Sequence, residues 1–282
     1  MTPQTPKISR SIPIAPLVWF GILLILCYAP VLQRLVHQWQ SDDDMGHGLF
    51  VPVVAGYIIW TRREELLAIH PVPNKWGLLL MALASAQLCF ATIAGELFLA
   101  RTAILLSLLG IVLYLRGAAT VRALAFPFVL LLFMVPLPGI IYKQITFPLQ
   151  LLASRLAELA LDTMNISVLR DGNILEFANL RLSIIEACSG IRSLLSLSFF
   201  SLVYAFLCDN RLRMRWLLLL STIPIAIVAN AGRVVLTGIA GRYSPELAEG
   251  VLHGLSGWVI FVLALAIFIL NHKLLCKVWK PA

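Results

Sequence analysis

The sequence predicts an all-α polytopic integral membrane protein, on the strength of three observations. Apolar residues make up 60% of the 282-residue chain and charged residues only 13%, against about 25% charged in ordinary soluble domains. Mean hydropathy is +0.90, too apolar for water to be the only solvent. The apolar residues also fall into runs that are nearly free of charge: 17–32, 76–95, 103–115, 124–135, 194–207, 216–229 and 257–270. Several of them approach the roughly 20 residues that span a bilayer. A shorter run, 49–60, makes the expected number of transmembrane helices about eight.

The first run follows Lys7 and Arg10 and is not followed by a small-x-small cleavage site before Gln33 and Arg34. It therefore reads as a retained anchor, not a cleaved signal. Charge placement sets the orientation. With a cytoplasmic N-terminus and eight alternating helices, thirteen of the 22 basic residues and only three acids fall inside, a net of +10. The other nine basic residues and eleven acids fall outside, a net of −2. Short basic loops mark the cytoplasmic side. The formal charge of +8 thus reports orientation in a lipid bilayer and excludes a nucleic-acid partner.

No internal repeat is visible, which argues against a transporter built from duplicated halves. A single transmembrane domain over residues 1–282 is expected, with an outer-loop insert at about 136–190. Two outer segments stand out: 39–52, with Asp42, Asp43, Asp44 and His47-Gly48, and the insert itself. Within the insert, 147–164 reads as an interfacial amphipathic helix. Leu149, Leu152, Leu156, Leu159 and Ala160 recur at helical spacing, while Gln150, Arg155, Glu158 and Asp162 face elsewhere. Residues 173–177 and 180–185 read as a short β-hairpin with Ala178-Asn179 at the turn, because Leu180, Leu182 and Ile184 alternate with Arg181 and Ser183. It leads into Glu186-Ala187-Cys188-Ser189-Gly190-Ile191-Arg192-Ser193, where the sixth transmembrane helix begins.

Of the five cysteines, Cys188 alone is expected at the outer face, so it has no partner there for an intrachain disulfide, and CxxC or Cys/His metal spacing is absent. A small packing residue at a helix end is one reading of it. A reactive thiol is the other. Helix N-terminal amides and dipole favour a thiolate, Arg192 lies one turn on, and Gly190 leaves room for a substrate backbone. The seventh apolar helix runs outward to Asn230-Ala231-Gly232-Arg233, and the eighth starts near His253. Alternation puts Cys188, Arg233 and His253 at one membrane depth. Separately, Arg233 also reads as a headgroup contact and His253 as an interfacial histidine. Asp42 to Asp44 read as a solvated loop, since no paired ligand set accompanies them, and no metal or cofactor is expected.

Several segments together resemble the exosortase/archaeosortase family, specifically the bacterial exosortases. They are Gly46-His47-Gly48-Leu49 with Pro52, Val135-Pro136-Leu137-Pro138, Glu186 to Ser193, Asn230-x-x-Arg233, and His253-x-x-x-Gly257-Trp258. The similarity covers roughly 35–265. It implies a membrane-embedded cysteine protease or transpeptidase of the bacterial inner membrane, with its site on the periplasmic face. The implied partners are secreted proteins ending in a motif such as Pro-Glu-Pro, a membrane helix and a basic tail. It also implies Cys188 as nucleophile, Arg233 as oxyanion or substrate stabiliser and His253 as general acid/base. Arg192, Glu186 and His47 are secondary candidates. The competing readings are a transporter or polysaccharide-export component without covalent chemistry, and a purely structural scaffold. A rhomboid-like serine protease lacks its Gly-x-Ser-x-Gly pattern here, and a zinc protease its His-Glu-x-x-His.

Overall fold

The structure is a computed structural model that describes residues 14–177, 181–183, 191–243 and 251–278. The chain divides into two compact units, Met1–Leu137 and Pro138–Ala282.

In the first unit, α1 (Ile14–Ser41) leads through a 3-10 turn (Asp43–Leu49) to α2 (Phe50–Thr61), α3 (Arg63–Ala68), α4 (Trp76–Ala94), α5 (Leu97–Arg116), α6 (Ala118–Ala123) and α7 (Ala125–Leu132). Small residues let α4 and α5 lie close together. A Cβ added at Gly77 would come within 2.6 Å of the Gly110 carbonyl oxygen, an approach helices in lipid achieve only through glycine or alanine. Tyr28 of α1 shares a 2.8 Å hydroxyl hydrogen bond with Ser107 of α5, which ties two apolar helices with a bond that lipid cannot replace.

In the second unit, α8 (Gly139–Thr163) is followed by β1 (Leu169–Asp171), β2 (Ile174–Glu176) and β3 (Arg181–Ser183), and then by α9 (Ile191–Cys208), α10 (Leu212–Tyr243) and α11 (Val251–Val278). Helices α9, α10 and α11 enclose a core of Leu197, Ala205, Met214, Leu218, Ala226, Ala264 and Phe268. The strands form one antiparallel sheet in the order β1-β2-β3. β1 and β2 are joined by Gly172-Asn173, with Gly172 at φ +60°, the left-handed backbone that a two-residue hairpin requires.

The structure refines three expectations. Among the described residues, five helices are long and apolar enough to cross a membrane: Val18–Ser41, Trp76–Ala94, Leu97–Arg116, Leu212–Ala240 and Gly257–Val278. The expected count of eight spans is therefore not confirmed. All eight runs are helical, but α2 has 12 residues and α7 only 8, about 18 Å and 12 Å of helix against a hydrocarbon core of about 30 Å. α9, at 18 residues, is an intermediate case.

The amphipathic helix starts at Gly139, not Phe147. Its buried stripe is Thr146, Gln150, Ala153, Ser154, Ala157 and Leu161, whereas Leu152 and Leu159 are exposed. In lipid, small and hydrogen-bonding residues make the helix contact and leucine is at home outside. Finally, the hairpin pairs β2 with β3, Glu176 opposite Arg181, but β1 adds a third strand. The turn at Ala178-Asn179 lies outside the described residues.

Candidate functional site

The second unit builds its site around α10. The sheet seats on this helix: Leu175 and Leu182 share a core with Ala157 and Leu161 of α8 and Val234 and Val235 of α10. Phe177 lies so close to α10 that a Cβ at Gly238 would come within 2.6 Å of its ring. Polar bonds fix the sheet to α8. Ser154 donates to the Gly172 carbonyl at 2.9 Å, Asn173 donates to Gln150 at 3.3 Å, and Arg170 pairs with Glu158 at 2.6 Å. The hydrophilic stripe of α8 thus holds the strands whose chain continues, beyond Ser183, toward α9.

Beside the sheet contact, Arg233 is buried, with 7% of its surface exposed. Its guanidinium lies against α11 where that helix has no side chain: a Cβ at Gly257 would be 3.3 Å from both Cζ and Nη2. Position 253 is four residues earlier on α11, so the two positions share a helix face. Only the helical backbone is described at 253. Arg192 sits half-buried in the first turn of α9. Cys188 and Glu186 lie outside the described residues. One turn before Arg233 on α10 is Asn230, 3% exposed, whose Oδ1 has no hydrogen-bond partner among the described residues. Asn230 borders a water-sized space of about 10 Å³ that Leu149, Leu194, Ala226 and Ile227 also line.

His47 belongs to the first unit. It is 8% exposed, and burial holds its pKa below the ordinary histidine value despite a hydrogen bond to the Phe133 backbone and the nearby Asp44 carboxylate. Next to it, Trp39 Nε1 donates to the Met134 carbonyl at 2.9 Å, and a Cβ at Gly48 would strike the Trp39 ring. Gly46-His47-Gly48 and the Val135-Pro136 segment, far apart in sequence, therefore share one anchoring point.

A model of the family described as transmembrane exosortase (Exosortase_EpsH) matches residues 39–270. The chain belongs to the transmembrane exosortase family. No curated protein and no solved structure matches it. As an exosortase-family chain of apolar helices it is a membrane protein, as the sequence leads one to expect.

Sequence reading missed a second polar cluster of this exosortase. Asp209 follows α9, while His272 and Cys276 lie one turn apart on α11, and their ligand-type atoms fall within 4.8 Å of one another. These residue types can hold a divalent metal. Here a guanidinium supplies the positive charge: Arg211 Nη2 is 2.7 Å from Asp209 Oδ2 and 3.3 Å from Cys276 Sγ. Tyr204 Oη hydrogen-bonds His272 Nδ1 at 2.9 Å, and Arg215 donates to the Asp209 carbonyl at 2.7 Å. The Arg211 hydrogen bond pushes the Asp209 pKa down to about 2, and the reciprocal bond raises that of Arg211. The signal in the sequence was the i,i+4 His272/Cys276 pair, but its acid lies more than sixty residues away.

Proposed function

We propose that the chain is a membrane-embedded cysteine protease or transpeptidase. It cuts the C-terminal sorting signal of secreted, membrane-anchored proteins at the outer face of the inner membrane. The observation that carries this reading is the Arg233 guanidinium set against Gly257, on the helix face that also holds position 253. Family membership and the Cys188 block at the start of α9 support it.

In this reading the Cys188 thiolate attacks the scissile carbonyl and forms a thioester as the C–N bond breaks. His253 takes the thiol proton and gives it to the leaving amine. Arg233 stabilises the developing oxyanion or holds the substrate backbone. Water or a second amine then resolves the thioester. A substrate anchored by its own helix presents its cleavage site near the bilayer surface, so confinement to the membrane plane replaces much of the affinity a soluble protease must build.

The test is co-expression with a tail-anchored substrate and comparison of wild type with Cys188→Ala, Arg233→Ala and His253→Ala. Processing should be abolished by the first and severely reduced by the other two. Undiminished cleavage by Cys188→Ala ends the nucleophile assignment. One observation favours the alternative of transport or export without covalent chemistry: Arg101, inside the α5 span, is 4% exposed, and buried charge in a membrane helix is a common mark of a transport path. On that alternative, Arg101→Gln abolishes export while Cys188→Ala leaves it intact.

A further inference from the structure

The polar cluster where α9 passes into α10 holds a carboxylate, an imidazole and a thiol at the spacing of metal ligands. His272 Nε2 stands 3.3 Å from Cys276 Sγ and 3.6 Å from Asp209 Oδ2, and the ligand-type atoms of all three residues fall within 4.8 Å of one another. A tetrahedral divalent ion with bonds of about 2.0–2.3 Å sets its ligands roughly 3.3–3.6 Å apart. Each ligand is also oriented from behind. His272 and Cys276 are four residues apart and so share one face of α11. The Tyr204 hydroxyl engages His272 Nδ1 at 2.9 Å, which leaves Nε2 facing the other two; ligand histidines are characteristically held by a bond on their second nitrogen. The Arg211 backbone N–H donates to Asp209 Oδ1 at 2.7 Å, so that oxygen is anchored while Oδ2 faces inward. A place for positive charge already exists among them. Arg211 Nη2 lies 2.7 Å from Asp209 Oδ2 and 3.3 Å from Cys276 Sγ, bridging two of the three ligand atoms. Its side chain is 38% exposed against 6% for Asp209, so the guanidinium reaches in from solvent and leaves by side-chain rotation, with no helix displaced.

We propose that Asp209, His272 and Cys276 form a binding site for a divalent transition metal of the zinc class, and that the Arg211 guanidinium holds the cation's place when the metal is absent. On binding, the metal takes Asp209 Oδ2, His272 Nε2 and Cys276 Sγ. Cys276 gives its thiol proton to solvent, Arg211 swings outward, and water fills the fourth position. The charges balance, one dication against a carboxylate and a thiolate. Mixed sulfur, nitrogen and oxygen donors select such an ion over Mg²⁺ or Ca²⁺, which take oxygen ligands. The bound ion fastens α11 to the link between α9 and α10. It has no part in bond breaking, and the proposal is independent of the protease reading.

The site is read out without any turnover. Full-length protein in nanodiscs is stripped with a chelator under reducing conditions and titrated with Co²⁺, whose bond to a thiolate gives a charge-transfer absorption band. Wild type should develop that band with one Co²⁺ per chain; Zn²⁺ should displace it and Mg²⁺ should not. Cys276→Ser should lose the band, whereas Cys208→Ser, which alters an exposed thiol beside Asp209, should keep it. Arg211→Gln should bind Co²⁺ about tenfold more tightly, since no charge-assisted bond has to be broken first. In the unmutated protein, Zn²⁺ should slow alkylation of Cys276, located by peptide mass spectrometry, by about tenfold. That last measurement needs no variant and decides the matter even where Cys276→Ser fails to fold. A wild type without the band overturns the site, as does a band that survives Cys276→Ser or disappears in Cys208→Ser. Alkylation of Cys276 that is no slower with Zn²⁺ overturns it as well. An Arg211→Gln protein that binds Co²⁺ no more tightly than wild type refutes the shared place of metal and guanidinium.

Discussion

The two ends of α10 handle buried polarity in opposite ways. Where the helix begins, Asp209, Arg211, Arg215, Tyr204, His272 and Cys276 form one connected network with bonds of 2.7–3.3 Å. Twenty-one residues later, about 30 Å along the helix, Arg233 is pressed against a glycine and Asn230 keeps an acceptor with no partner among the described residues. Both ends are clamped by the same helix, α11, so the difference is not one of packing partners. A polar cluster that answers itself fixes helices to one another. On the proposed function, the Asp209 end serves stability and the Arg233 end serves the chemistry.

Substitutions should therefore separate activity from stability according to which end they touch. The largest effect is expected at Arg233. Arg233→Lys keeps the charge but loses the planar fork, and processing should fall about 100-fold, within the range found for loss of one oxyanion donor. The melting temperature should barely move. Gly257→Ala is the gentler version. Its methyl group must displace the guanidinium by a few tenths of an ångström, and about a tenfold loss is expected from that misplacement. A Gly257→Ala enzyme with full activity breaks the claim that this glycine is there for the arginine.

At the other end the order of effects reverses. The Asp209 side chain is 6% exposed and that of Arg211 38%. Arg211→Ala strands a buried carboxylate, while Asp209→Asn removes the charge that needed answering. The arginine variant should melt lower than the asparagine variant, and Asp209→Asn should restore most of the loss when added to Arg211→Ala. Processing, measured below the melting temperature, should stay within about threefold of wild type in all three. An Arg211→Ala protein as stable as wild type removes the basis for calling this end structural.

How much of this was legible in the sequence depended on distance along the chain. The apolar runs located the long apolar helices, because the run length is set by the bilayer and needs no partner. The β2–β3 pair was legible from alternation at Leu182 and its neighbours, and the motifs singled out Arg233 and Gly257 without foretelling that they touch. The early start of α8 at Gly139 was not, because the amphipathic spacing shows only from Leu149 onward. Nor was the Asp209 cluster, since nothing local in the α9–α10 link announces that α11 will return beside it. The lengths of α2 and α7 were obscured for a third reason: hydropathy measures apolar extent and is silent about where a helix stops, as at Leu132, where the chain turns toward Pro136.

The smallest effect is an acid window that belongs to one end alone. Asp209 is held at about 2 in the folded chain, below its ordinary value of 3.8, chiefly by the Arg211 hydrogen bond. A depressed carboxylate contributes stability that is fully present above the ordinary value and is lost as pH falls through the folded one. Melting temperature should therefore decline between about pH 4 and pH 2 in wild type, and the decline should be shallower in Asp209→Asn. Arg233→Lys and Gly257→Ala should follow the wild-type curve through the same window, since neither touches the network. If Asp209→Asn melts with the same pH slope as wild type, the carboxylate is not the group being protonated and the paired character of that end has been misread. If instead Gly257→Ala alters the slope, the two ends of α10 are coupled through the helix, and the division of labour between them fails.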